Sequence, residues 1–231
     1  MWTEQVEAGE FEAATESLLR GEMDAAIAAY ESLLAKGVHG SAIYSNLGYA
    51  LQKQNKLALA ALNYYRALML NPRCTEAQSG LNQLCTQASL PEFPETWQQK
   101  LAEHIPPIFL LIAGEVFFWI GALLEVRGIY RKKLLLSGSG LLLIGIAVFG
   151  VGLVSDPRMR KNLAIVTDHN VTQALAQPVT TAAHIGTLLP GTPVEVVSEQ
   201  APWSYCRLPH SSHHVGWIPT SSLSFVHPQH F

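Results

Sequence analysis

The chain has 231 residues, 18 of them acidic and 15 basic, for a net charge near −3, a balance that argues against a nucleic-acid-binding protein held by a basic surface. The charge is uneven. Residues 1–104 carry 12 acidic and 7 basic groups, 105–161 carry 3 and 7, and 162–231 carry 3 and 1, so only the middle is basic. Three cysteines, Cys74, Cys85 and Cys206, are too few and too odd in number for a disulfide framework, and they fix no redox compartment.

The amino-terminal part repeats itself. When residues 7–40 are laid over 41–74, Ala26 falls on Ala60, Tyr30 on Tyr64 and Gly21 on Asn55, and a 34-residue period means stacked helical hairpins. In the second unit Tyr44, Leu47, Gly48, Leu51, Ala60, Tyr64, Ala67 and Pro72 resemble the tetratricopeptide pattern. Gly48 and Ala60 are small where the two helices should cross, Leu47 and Tyr64 fill the gap, and Pro72 ends the second helix because it has no N–H to donate. The first unit is weaker in its leading helix, but GEMDAAIAAYESLLAKG is regular and runs into Gly37 as a helix stop. Ala77, Leu81, Leu84 and Ala88 recur at helical spacing and predict a solvating cap helix. The expectation is a tetratricopeptide repeat domain over 1–90, with repeats 7–40 and 41–74. Ser45, Asn46, Tyr49 and Lys53 lie on the leading helix of the second unit, where such repeats hold peptides, and are the peptide-groove candidates; a solvated polar row is the competing reading. Cys74 and Cys85 stand about 16 Å apart along one helix, too far for a disulfide, and read as small buried hydrophobes.

A proline-bearing linker over 91–104 holds Trp97, a residue suited to a membrane interface. Residues 105–124 (IPPIFLLIAGEVFFWIGALL) and 134–154 (LLLSGSGLLLIGIAVFGVGLV) are each long enough to cross a hydrocarbon core, which takes about 20 helical residues. They predict two transmembrane helices joined by the short loop 125–133. Arg127, Arg131, Lys132 and Lys133 in that loop place it in the cytoplasm and both flanking domains outside, in a two-pass topology. The opening MWTEQVEAGEFEAA has no basic or apolar signal region, and Arg158, Arg160 and Lys161 follow the second run, so an inverted arrangement stays open. Glycine recurs every seventh residue, at 114, 121 and 128 and at 138, 145 and 152. These stripes suit a close helix–helix seam, although glycine is frequent in membrane helices in general. Glu115 is an acidic group in the middle of the first run, where insertion costs about 2.5–3.5 kcal/mol. It is the candidate for a contact with a polar group on another membrane protein; a protonated carboxyl bonding its own backbone is the competing reading.

Beyond residue 161 the composition turns to Val, Thr, Ser, Pro and His, and runs such as LAIVT, PVEVVSE, SYCRL and HVGWIP predict a small all-β domain over 162–231. Gly186, Gly191, Val194, Val196, Trp203 and the closing Gly216-Trp217-Ile218 resemble bacterial SH3-like barrels, with Trp203 and Trp217 as surface candidates. Cell-wall-binding members often carry Arg-Ser-Gly-Pro after the first strand, where this chain has residues 174–178. Cys206, His210, His213 and His214 offer metal donors, but their spacing matches no closed site, and no metal or cofactor is assigned. A search for a phosphate-cradling glycine loop, HExxH or GxSxG finds none, so the chain is not expected to be an enzyme.

The order of these parts, with its most specific stretch from Leu33 through Pro72, resembles BatE-type aerotolerance proteins. The resemblance implies a multidomain membrane protein: an all-α tetratricopeptide domain, a transmembrane hairpin and an all-β SH3-like barrel. It implies a non-enzymatic scaffold of the bacterial inner membrane with both domains periplasmic, working beside von Willebrand factor A-type BatA and BatB proteins and a MoxR-type ATPase in stress or oxygen tolerance. Nucleic acid is not an expected partner. Two alternatives stay open: a cell-wall sensor whose barrel grips peptidoglycan, and a chaperone adaptor with cytoplasmic repeats.

Overall fold

The computed structural model describes residues 2–90, 107–130, 136–154, 162–168, 170–209 and 215–227. The described chain forms seven helices and seven strands in two compact units, one of residues 1–94 with 161–231 and one of residues 95–160.

In the first unit α1 (Trp2–Leu19), α2 (Met23–Ala35), α3 (Ser41–Lys53), α4 (Leu57–Leu70) and α5 (Thr75–Ala88) follow one another. The period is visible in the elements: α2 begins at 23 and α4 at 57, α3 at 41 and α5 at 75, the same offset of 34. It is visible again in the turns. Gly21, Asn55 and Ser89 occupy the same place in successive repeats, each at positive φ (81°, 59° and 50°), the left-handed step that commonly ends a helix. Tyr30 and Tyr64 are the largest side chains of the core and are almost wholly buried. Their hydroxyls stay satisfied: Tyr30 Oη meets Thr15 Oγ1 at 3.0 Å and accepts from Asn46 Nδ2 at 3.0 Å, and Tyr64 Oη donates to Gln52 Oε1 at 2.8 Å. A Cβ on Gly48 would lie 2.9 Å from the Tyr64 ring, and one on Gly80 2.4 Å from it. Two glycines therefore make the slot that this ring fills.

The strands are β1 (Leu163–Val166), β2 (Thr172–Leu175), β3 (His184–Leu188), β4 (Pro193–Gln200), β5 (Trp203–Arg207), β6 (Val215–Pro219) and β7 (Leu223–Phe225). They form one antiparallel sheet in the order β3-β2-β6-β5-β4-β1-β7, with register shifts between Val196 and Ser198 and between Ala174 and Leu175. Ala164 and Val166 face the sheet's own core with Val194, Cys206 and Ile218, while Leu163, Ile165 and Val226 join the core of the helices. Strand β1 is thus buried on both sides.

The second unit holds α6 (Pro107–Tyr130) and α7 (Leu136–Val154). A Cβ on Gly114 would lie 2.7 Å from the Phe149 backbone nitrogen, and one on Gly145 2.7 Å from that of Phe118. Going up one helix goes down the other, so the pair is antiparallel. The two backbones touch where glycine leaves room, as two of the stripe positions imply.

The expected combination of tetratricopeptide domain, two-span anchor and SH3-like barrel is corrected on three points. The strands make an open sheet with β3 and β7 at its edges. Closure would require those edges to meet, and the β7 end instead meets helix α4: the Phe225 carbonyl accepts from Arg66 Nη2 at 3.1 Å. Second, among the described residues one helix, Ile108–Arg127, is long and apolar enough to cross a membrane. In α7 the apolar stretch among the described residues is the shorter Ser139–Val151. Third, helices and sheet belong to a single compact unit. Helix α6 runs on to Tyr130, into the expected 125–133 loop; Arg131, Lys132 and Lys133 lie outside the described residues, as do Trp97 and the basic residues after α7.

Candidate functional site

Three surfaces carry the residues of interest. On α3 the four groove candidates do not act together. Ser45 is only 4% exposed and belongs to the core, and Asn46 is tied to the Tyr30 hydroxyl. Tyr49, 43% exposed, and Lys53 remain outside, with Lys53 Nζ 5.1 Å from the Tyr49 ring centroid. One turn separates these two residues on the helix, so the ammonium rests on the ring face, a modest contact at an exposed site. Ser45, Tyr49 and Lys53 follow one another at single-turn steps, but Ser45 is covered, so the exposed part of the row is the cationic-aromatic spot of Tyr49 and Lys53.

The second surface is where helices meet sheet, and sequence reasoning missed it. Arg66 interrupts the apolar run LALAALNYYRALML of α4, and that interruption was the available signal. Its guanidinium lies 5.9 Å from the Tyr44 ring centroid and bonds the Phe225 carbonyl, while its buried Nε has no hydrogen-bond partner among the described residues. Burial pulls the Arg66 group below its ordinary basicity, with the nearby Tyr44 acting the other way, and burial pushes the Tyr44 phenol up. Tyr44 Oη in turn meets His39 Nδ1 at 3.0 Å, the two rings stacked within 10°. Close by, Gly191 has φ +94°, and a Cβ there would lie 2.9 Å from Leu90 Cδ1. A substituted residue would both strain that turn and press on the helical stack.

The third surface is the outer face of the sheet. Alternation along β5 sends Ser204 and Cys206 inward and Trp203, Tyr205 and Arg207 outward; on β6, Gly216 and Ile218 go in and Val215, Trp217 and Pro219 out. Tyr205 pairs directly with Trp217, their ring centroids 4.9 Å apart at 42°, and Trp203 pairs with Pro219. The half-buried Trp203 and Trp217, the two surface candidates, therefore share a face, and Tyr205 joins them; the alternating Trp-Ser-Tyr-Cys-Arg carried that information. Arg207 and Glu195 close the patch with an exposed ion pair. Cys206, beneath it, is pushed up to about 12 by burial and then by Glu199, so its thiol stays protonated at neutral pH. The expected neighbours His210, His213 and His214 lie outside the described residues, and no group of three metal-binding side chains occurs among the described ones.

Glu115 is exposed on α6, one residue from the seam glycine Gly114, and makes no hydrogen bond or ion pair with a described residue.

No protein-family model matches this chain, and no curated protein matches it significantly.

Proposed function

We propose that the chain is a non-enzymatic scaffold held at a membrane by α6. On the strength of its resemblance to BatE-type proteins, it serves a stress- or oxygen-tolerance assembly of the bacterial inner membrane, with von Willebrand factor A-type Bat proteins and a MoxR-type ATPase as partners. The observation that carries the membrane part is the inverted character of α6: of the 20 residues Ile108–Arg127 only 11% of the apolar window is buried. Phe109, Ile112, Trp119 and Leu123 all face outward. A water-soluble protein rarely exposes an apolar patch of that size. The scaffold part is supported by separate exposed surfaces, the Tyr49–Lys53 spot and the Trp203–Tyr205–Trp217 face.

The test is flotation of the full chain with lipid vesicles, followed by an alkaline carbonate wash. The chain is expected to rise with the lipid and to resist the wash. Recovery in the aqueous fraction, monodisperse without detergent, would overturn the reading.

A further inference from the structure

The hairpin's own seam uses up one side of α6 and leaves a second, differently built side without a partner. At about 100° per residue, Gly114, Phe118 and Gly121 fall on the α7 side, where both glycines are buried and a Cβ on Gly114 would strike backbone. Nearly opposite runs the row Ile108, Ile112, Glu115, Trp119 and Leu123, spaced by four, three, four and four residues. Its two outermost members in the hairpin's middle, Trp119 and Leu123, are 59% and 68% exposed. Spacing of this kind is that of a helix face prepared for another helix. In its centre sits a carboxyl group that no described residue of the hairpin satisfies.

Resting on the membrane reading above, we propose that this row of α6 is the docking face for one membrane helix of a different protein, and that Glu115 recognises a lysine or arginine side chain on it. Charge complementarity selects that occupant. The stretches 108–126 and 134–154 contain no lysine or arginine, so a second copy of this chain would bring to the face only another carboxyl. In hydrocarbon an unmatched acid is costly, and a cation on the facing helix satisfies both groups at once. The aliphatic and aromatic neighbours supply the packing that lipid-embedded helices use in place of the hydrophobic effect.

The experiment reconstitutes the labelled full chain in phosphatidylcholine vesicles. Partners are leucine-rich membrane peptides of about 20 residues carrying one central arginine, one central glutamate, or leucine throughout, and association is read by energy transfer. The arginine peptide is expected to associate at least about tenfold more tightly than the leucine peptide, and Glu115→Leu and Glu115→Gln are each expected to abolish that preference while Ile112→Leu leaves it. Equal binding of arginine and leucine peptides overturns the proposal, as does a preference that survives Glu115→Leu. So does self-association of the chain that depends on Glu115, which would make the occupant a second copy. Flotation is read in the same samples. A chain that fails to float sinks the membrane reading and this one together, whereas a chain that floats without arginine preference sinks this one alone.

Discussion

The helical stack and the α6–α7 hairpin solve the same packing problem in opposite ways. In the stack the largest side chains, Tyr30, Tyr64, Leu33 and Leu84, are inside; glycine appears where a ring must fit, and polar residues other than Ser45 and Asn63 mostly face out. In the hairpin the inside is made of Gly114, Gly121 and Gly145, and the phenylalanines, leucines and tryptophan are outside. On the proposed membrane reading, the difference follows the solvent. Against water, burying a large apolar side chain is the main gain, about 1.5–3 kcal/mol each. Against lipid that gain vanishes, and close backbone approach between small residues takes its place.

Removing the ring that fills the glycine slot should have the largest effect. Tyr64→Ala is expected to destabilise the first unit by about 3–5 kcal/mol, measured by denaturant unfolding followed through tryptophan fluorescence. Gly80→Ala should cost about 1–3 kcal/mol by overpacking. Because the two residues touch, that cost should shrink in a Tyr64→Leu background; additive effects would show that the ring does not fill this slot.

In the hairpin the sensitive and tolerant positions should be exchanged. Gly145→Leu is expected to push α6 and α7 apart, at about 1–3 kcal/mol, seen as a longer spin-label distance between the helices in bilayers. Leu123→Ala, a loss of bulk on the outside, should stay within about 0.5 kcal/mol. Equal sensitivity at both positions would erase the contrast between the regions.

The junction of helices and sheet should respond to which atoms are lost. Arg66→Ala removes the bond to Phe225 and leaves a cavity, and about 1–3 kcal/mol of destabilisation is expected. Arg66→Met keeps the stem and removes the orphaned Nε, so it should cost less than about 1 kcal/mol. Denaturation of the two variants side by side checks the order.

The effect confined to alkaline solution is a pH dependence. The Cys206 thiol has its folded pKa raised from 9.0 to about 12. The folded state therefore holds this proton more tightly than the unfolded one, and the stability it contributes is complete below pH 9 and is lost as pH rises toward 12. Tyr44 and Tyr64, also raised by burial, add to the same decline. Denaturation midpoints should fall less steeply over that range in Cys206→Ala than in the parent chain, and identical slopes would contradict the assignment.

Much of the helical part was readable in advance because its information is local and periodic. The match of Gly21 with Asn55 reappears as two left-handed turns, with Ser89 as a third, and Tyr64 against Gly48 is a contact between residues a few turns apart. The strand runs were likewise placed from composition and turn residues, while the pairing of β5 with β6 set Trp203 and Trp217 on one face. The failures share another character. Ser45 sits on a helix whose polar row looked solvated, yet neighbouring helices cover it. The barrel was expected from motifs inside 162–231, but what happens at β7 depends on Arg66, 159 positions away in the chain.

What this sequence determined unaided is therefore whatever a short window can encode: helix lengths, the 34-residue period, strand alternation, glycine at the hairpin seam and the apolar length of α6. Only the tertiary structure decided that the sheet stays open, that β1 is buried on both faces, and that Arg66 and Leu90 bind the helices to the strands. Propensity and periodicity act between near neighbours. An edge strand, by contrast, closes or stays open according to which distant surface competes for it.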